Sequence, residues 1–383
     1  MKKALVIIVF AQFFCTSLWF AGNAIINDLI NSHHLSNSFL TDLTSIVQFG
    51  FIAGTFLFAF FSIPDKFSPS KVFALSAFLA ALFNLGMAIN VITETNLLIF
   101  RFFTGFFLAG IYPVGMKIAA DYEEKKLGKA LGFLVGALVL GTAFPHLLKS
   151  FTAQFPYKNV IYGTSTLAII GGSLIYFLPD GPFRKPNINF KFNAIFEGFK
   201  NKEFRKAAFG YFGHMWELYA FWAFVPVILA KNSVFLNSNY LSIWSFVIIA
   251  VGSLACVFSG LLSQKYPTKK IAFIALFLSG ICCLLSPIFI QQSFWIFISF
   301  MVFWGVMVVA DSPLFSTLVA QNAPQENRGA TLTIVNCIGF SITIVSIQLL
   351  KIMMENLGAN YLYMFLGIGP ILGLIALGWS KSE

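Results

Sequence analysis

The sequence predicts an all-α membrane protein with twelve transmembrane helices arranged as two pseudo-symmetric six-helix bundles, and three observations carry that expectation. Of 383 residues, 58 % are apolar and only 10 % charged, whereas a water-soluble domain needs about a quarter of its residues charged. Twelve apolar runs follow one another along the chain, each near the roughly 20 residues with which a helix crosses a bilayer. The longest polar stretch falls between the sixth run and the seventh. This layout excludes a soluble enzyme with a single anchor.

In order, the first six runs cover residues 4–27, 43–62, 72–92, 97–119, 129–149 and 160–178. The first opens behind Lys2-Lys3 as a secretory signal would, but no small-residue cleavage pattern closes it and eleven similar runs follow, so it reads as a span. Six more runs cover 207–229, 240–262, 271–290, 293–316, 329–350 and 359–379. The expected organisation is a bundle over 1–178, a linker over 179–206 and a second bundle over 207–383. Within the linker, Phe192, Ile195, Phe196 and Phe199 recur at helical spacing with Lys191, Glu197 and Lys200 between them, which predicts a short amphipathic helix on the membrane surface. Cys15, Cys256, Cys282, Cys283 and Cys337 all lie inside apolar runs, with no disulfide or metal spacing, and read as small core residues.

Charge sets the orientation. If the N-terminus is cytoplasmic, 20 of the 25 Lys and Arg residues fall in inside segments and four, Lys149, Lys158, Lys231 and Lys351, fall outside, with Arg101 inside a span. The positive-inside rule then places both termini in the cytoplasm, in a multi-pass protein of the inner (plasma) membrane. The same asymmetry accounts for the net charge of +10 without a nucleic-acid partner, since no polar domain carries a clustered basic face.

The two halves repeat at an offset near 200 residues. The loop Asp65-Lys66-Phe67-Ser68-Pro69-Ser70-Lys71 aligns with Gln264-Lys265-Tyr266-Pro267-Thr268-Lys269-Lys270, Tyr112-Pro113 with Ser312-Pro313, and Gly128-Lys129-Ala130 with Arg328-Gly329-Ala330. Together these features resemble the major facilitator superfamily of secondary transporters, over the whole chain. That family carries a Gly-x-x-x-Asp-Arg-x-Gly-Arg-Arg-like loop after its second helix. Asp65, Lys66 and Lys71 fit it, while Phe61 and Ser68 occupy the glycine places. The second copy keeps Gly260, Lys265, Lys269 and Lys270 but has Gln264 in place of the acid. The fourth-helix signature is matched by Arg101, Gly105 and Gly110 ahead of Pro113. Two departures argue against particular subfamilies. Span five lacks the Gly-Pro pair of drug antiporters, with Pro145 arriving late, and spans two and eight lack the arginines of nitrate carriers. The segments 14–23 and 213–219 are similar to a bacterial branch grouped loosely with cyanate-type carriers.

The resemblance implies a solute cavity lined by helices one, four, seven and ten, and the clearest charged candidates inside spans fall on those helices. They are Arg101, His214, Glu217 and Asp311. Such groups are costly in a bilayer and usually face a cavity or a partner. Glu217 lies ten residues into span seven, roughly 15 Å deep, and is the candidate proton carrier, the alternative being a fixed helix–helix salt bridge. His214, one turn earlier, is either a relay sharing a proton with Glu217 or a packing histidine. Arg101, with Gly105 leaving room for its stem, is a structural pair or a functional charge; Asp311 suits an inner gate or ion pair. In span one Gln12, Thr16, Trp19 and Asn23 recur at intervals of four, three and four, a polar stripe that faces either the solute path or neighbouring helices. Tyr112 and Trp304 complete the candidate cavity, while Asp65, Lys66, Lys71, Gln264 and Lys265 form the candidate cytoplasmic gate. His33-His34 lie in an outer loop without a third metal ligand, and His146 has no catalytic partner at a fixed spacing.

The expected function is secondary active transport of a small polar or anionic organic solute by alternating access, coupled to protons. The expected assembly is a monomer in the lipid bilayer, not an enzyme and without cofactor or metal. Efflux antiport of drugs or metabolites and a non-transporting membrane sensor are the alternatives.

Overall fold

The computed structural model describes residues 2–36, 39–90, 93–123, 127–152, 155–184, 198–231, 238–324, 328–356 and 361–378, and every regular element among them is helical. Among the described residues, nine uninterrupted or nearly uninterrupted helical segments are long and apolar enough to cross a membrane. They correspond to spans two to five and seven to eleven. Span six, Lys158–Tyr176, is diluted by Thr164, Ser165 and Thr166, and span twelve opens as a 3-10 turn over Leu362–Gly367 before Ile368–Gly378.

Span one departs from the single helix expected over 4–27. It runs as Lys2–Thr16, turns over residues 17–20, and resumes as Ala21–Ala24 and Ile26–His33. Hydrogen bonds from Leu18 N to Cys15 O and from Trp19 N to Thr16 O tighten the turn. The Thr16 hydroxyl also donates to Gln12 O at 2.8 Å, a back-bond that bends helices.

Spans four and ten are each broken in the same place. Glu94–Leu108 is followed by Tyr112–Tyr122, and Phe294–Ala310 by Ser312–Asn322. Pro113 and Pro313 occupy the first turn of the second helix in each pair, where a missing N–H costs nothing. The repeat extends to close packing. A Cβ on Gly105 would stand 2.1 Å from Val47 O, and one on Gly305 would stand 2.1 Å from Ile248 O. The fourth helix of each half therefore lies directly on the backbone of its second helix.

Span seven, Lys202–Leu229, begins inside the stretch expected to be linker. Asn201 caps it by accepting from Glu203 N at 2.9 Å and Phe204 N at 3.3 Å. Of the expected surface helix, Phe192, Ile195 and Phe196 lie outside the described residues. Phe199 packs its ring on Phe204 and Phe209.

Two helix pairs make the most extensive contacts between the halves among the described residues. Spans five and eight approach closely where Gly132 faces Cys256 O and Gly260. Spans two and eleven meet along Phe51–Phe340, Ile52–Cys337 and Asp42–Lys351. Leu75, Leu82, Leu254, Phe258, Trp295 and Leu372 are exposed, as a lipid-facing surface requires.

Candidate functional site

Arg101, His214, Glu217 and Asp311 each find partners within their own half. In the first half, Arg101 is fully buried. Its Nη1 donates to Leu18 O at 2.9 Å and to Asn84 Oδ1 at 3.4 Å, and its Nη2 donates to Trp19 O. Those two carbonyls belong to the turn that interrupts span one. A helix end leaves carbonyls without intrahelical donors, and the planar guanidinium fork is suited to supply them. Asn84 carries the connection onward, its Nδ2 donating to Thr164 Oγ1 at 3.1 Å and Ser165 Oγ at 2.9 Å. Spans one, three, four and six are thereby tied together. No carboxylate contacts Arg101 among the described residues. Gly22 lies beside the guanidinium, but a Cβ there would meet Leu43 Cδ2 at 2.7 Å and reach Arg101 Nε only at an ordinary contact distance of 3.5 Å. Gly105, expected to leave room for the Arg101 stem, packs against the backbone of span two at Val47.

In the second half Glu217 occupies the corresponding place. Its Oε1 accepts from Ser279 Oγ at 2.6 Å, Trp304 Nε1 at 2.7 Å and Cys283 Sγ at 3.2 Å. Shifted by 199 residues, Leu18 falls on Glu217 and Asn84 on Cys283. The junction of the first, third and fourth helices thus holds a cation in one half and an acid in the other. The cation closes a broken helix, whereas span seven runs unbroken past Glu217. All three donors to Glu217 are uncharged. Cys283, read from the sequence as a core residue only, is one of them.

His214 meets Asp311 rather than Glu217. Its Nδ1 lies 2.8 Å from Asp311 Oδ1, with both side chains buried. Asp311 stands at the break in span ten, where its carbonyl accepts from Leu314 N and Phe315 N. Residues three apart on a helix share a face only approximately, and here the imidazole is turned to the break while the carboxylate turns to spans nine and ten.

The stripe on span one divides among several neighbours. Asn23 Nδ2 donates to Thr44 Oγ1 at 2.7 Å, linking span one to span two. Thr16 lies against Gly141 of span five, and Gln12 against Gly115 of span four. Neither amide atom of Gln12 has a hydrogen-bond partner, nor does Trp19 Nε1. Trp19 instead joins a ring cluster across the seam between the halves, with Phe51 at 4.8 Å, Tyr219 at 5.7 Å and Phe340 at 5.7 Å between ring centroids. Tyr112 is buried. Near the seam Tyr211 Oη is 3.1 Å from Asn336 Oδ1.

Several contributors were not singled out in the sequence. Gln48 is fully buried with both amide atoms unpartnered, and it lies on span two one turn from both Ser45 and Phe51. A lone amide within an apolar run was its available signal, and the same holds for Asn84. Asn336 carried the same signal, whereas Ser279 and Phe340 carried none.

On the face with the basic loops, Asp65 pairs with Lys117 of span four at 2.9 Å. Arg184 Nη2 donates to Asp65 O at 3.1 Å and Phe67 O at 2.8 Å, while Arg184 also pairs with Asp180. Asp180 accepts from Ser68 Oγ at 2.6 Å. The chain leaving span six is thus folded over the loop between spans two and three. Lys66, Lys71, Gln264 and Lys265 are exposed. Asp65→Asn is expected to slow turnover by weakening this cluster, whereas Gln264→Ala is expected to change little. Equal defects in a transport assay would remove the asymmetry between the two copies.

Elsewhere, His33 Nε2 is 3.1 Å from Tyr157 Oη. Burial, followed by the charges of Lys158 and His34, lowers its proton affinity below that of free imidazole. His146 is buried with Nε2 unpartnered. No cluster of three metal-ligating side chains occurs among the described residues.

A sequence model described as the Major Facilitator Superfamily matches residues 6–347. No functionally curated protein matches the chain in sequence. Among solved structures, the xylose transporter XylE from E. coli, in a partially occluded inward open conformation, superposes with a TM-score of 0.77 at 13 % identity, over 100 % of this chain and 99 % of that one. The human organic anion transporter MFSD10 gives 0.78 at 13 % identity, over 98 % and 99 %. FucP in the outward conformation gives 0.71 at 11 %, over 99 % of each chain. At such identities the likeness is one of fold.

Proposed function

The chain belongs to the major facilitator superfamily and is a multi-pass membrane transporter rather than an enzyme, and on that premise we propose that it carries a small polar solute by alternating access, driven by protons that load on Glu217. The carrying observation is the Glu217 carboxyl group, which is fully buried and contacted by Ser279, Cys283 and Trp304 but by no cation among the described residues. A bare carboxylate at membrane depth costs several kcal/mol. Neutral donors offset only part of that cost, so a proton is the remaining means of neutralising the group. The His214–Asp311 pair, at the break of span ten, supplies a second proton-binding place within the same half.

The seam favours an uncharged solute over an anion. Arg101 directs both terminal nitrogens to Leu18, Trp19 and Asn84, its buried Nε alone lacking a partner among the described residues, and Glu217 and Asp311 are held within the second half. What the halves present to each other is the ring cluster of Trp19, Phe51, Tyr219 and Phe340, with Gln48 and the Trp19 indole N–H offering unmet hydrogen-bonding capacity. Pre-formed apolar walls with a few polar groups are the usual construction of a small-molecule site. The test is uptake into proteoliposomes under an imposed pH gradient, comparing neutral solutes with their carboxylate counterparts. Preference for the carboxylates would reverse the charge assignment.

We further assign the basic face and both termini to the cytoplasm of a cell bounded by this membrane. A cysteine placed at Tyr266, which is 59 % exposed between spans eight and nine, is expected to resist an impermeant maleimide in intact cells and to react in inverted vesicles. Labelling in intact cells would invert the topology.

A further inference from the structure

On the face opposite the basic loops, four side chains join the two halves over two helical turns. Lys351 Nζ lies 2.9 Å and 2.8 Å from the two carboxylate oxygens of Asp42. One turn away, Gln348 Nε2 donates to Ser45 Oγ at 2.9 Å, with Asp42 Oδ1 at 3.3 Å and Thr41 O at 3.5 Å. Asp42 and Ser45 belong to span two, and Gln348 and Lys351 to span eleven, so each contact crosses from one half to the other. Asp42–Lys351 is the one ion pair between the halves among the described residues. Directly beneath, on the same faces of the same helices, come the unpartnered Gln48 and the Phe51–Phe340 ring contact.

We propose that Asp42, Ser45, Gln348 and Lys351 form the gate that closes the solute path on this face, and that opening toward this side requires their separation. The pair is built to part and reform. The two side chains are 32 % and 21 % exposed, so water can solvate each once they separate, unlike a fully desolvated pair. Asp42 stands in the first turn of span two and Lys351 near the end of span eleven. The backbone dipole at the start of span two favours the Asp42 carboxylate whether or not the partner is present. The gate holds irrespective of which solute is carried and of whether protons drive it.

The test uses the full-length protein with its five cysteines replaced by alanine and nitroxide labels on cysteines at Ser32 and Tyr240, exposed positions on this face in opposite halves. Pulsed electron-spin distance measurements in liposomes are expected to show a predominant short distance. Asp42→Asn and Lys351→Met are each expected to shift the short-to-long ratio about three- to tenfold toward long. The charge exchange Asp42→Lys with Lys351→Asp is expected to restore it. Unchanged distributions in the single variants, or an exchange no more closed than they are, would overturn the proposal. Should a single variant not fold, cysteines at Ser45 and Gln348 with a short bis-methanethiosulfonate reagent provide the second readout: cross-linking across the halves is expected, and its absence would equally overturn the gate.

Discussion

Glu217→Gln is expected to abolish solute accumulation while leaving the protein folded and capable of downhill exchange. The amide retains an oxygen that can accept from Ser279, Cys283 and Trp304, so the packing of spans seven, nine and ten should persist. What it removes is the exchangeable charge. One proton moving through 100 mV is worth about 2.3 kcal/mol, which supports roughly fifty-fold accumulation. Without coupling the ratio falls to about one. In proteoliposomes under an inward pH gradient, the variant should equilibrate solute without concentrating it. His214→Ala is expected to alter the pH dependence more than the maximal rate, because it strips Asp311 of its 2.8 Å partner without touching Glu217. If Glu217→Gln still concentrates solute with an unchanged pH profile, Glu217 is a structural acceptor, and coupling has to be sought at the His214–Asp311 pair.

Arg101→Leu is expected to lower stability by about 3 kcal/mol, since removing the charged donor leaves buried carbonyls without partners. The affected acceptors are Trp19 O at the interruption of span one and Asn84 Oδ1, while Leu18 O keeps only the long 3.5 Å bond from Ala21 N. Arg101→Lys should recover only part of the loss, because a single ammonium group cannot reproduce the fork that reaches all three. Thermal unfolding of the purified protein in detergent gives the comparison. A variant with unchanged stability but no transport would instead make Arg101 a functional charge.

The two predictions differ in how far the sequence anticipated them. Both residues stood out because a charge within an apolar span demands an explanation, and that reasoning depends only on the cost of desolvation. Their partners were not legible. Asn84, Ser279 and Cys283 are small polar side chains of a kind common in membrane helices. What distinguishes them is rotation about a helix axis and depth along it, and contacts that cross 62 residues from Glu217 to Ser279 or 83 from Arg101 to Leu18. Likewise the spacing of Gln12, Thr16, Trp19 and Asn23 assumed a continuous helix. The turn over residues 17–20 redirects the later members, and Asn23 meets span two while Trp19 reaches the seam.

The number of spans, the repeat near 200 residues and the charge asymmetry between the two faces follow from the sequence by itself. Each depends on a quantity that adds up along a short window, namely the transfer free energy of about 20 residues or the charge of one loop. Tertiary structure alone decided that Arg101 closes a broken helix, that His214 turns to Asp311, and that Asp42 and Lys351 meet across 309 residues. These pairings come from how helices rotate and pack against one another. A lone polar group in an apolar run announces that it needs a partner, but only the packed bundle selects which one.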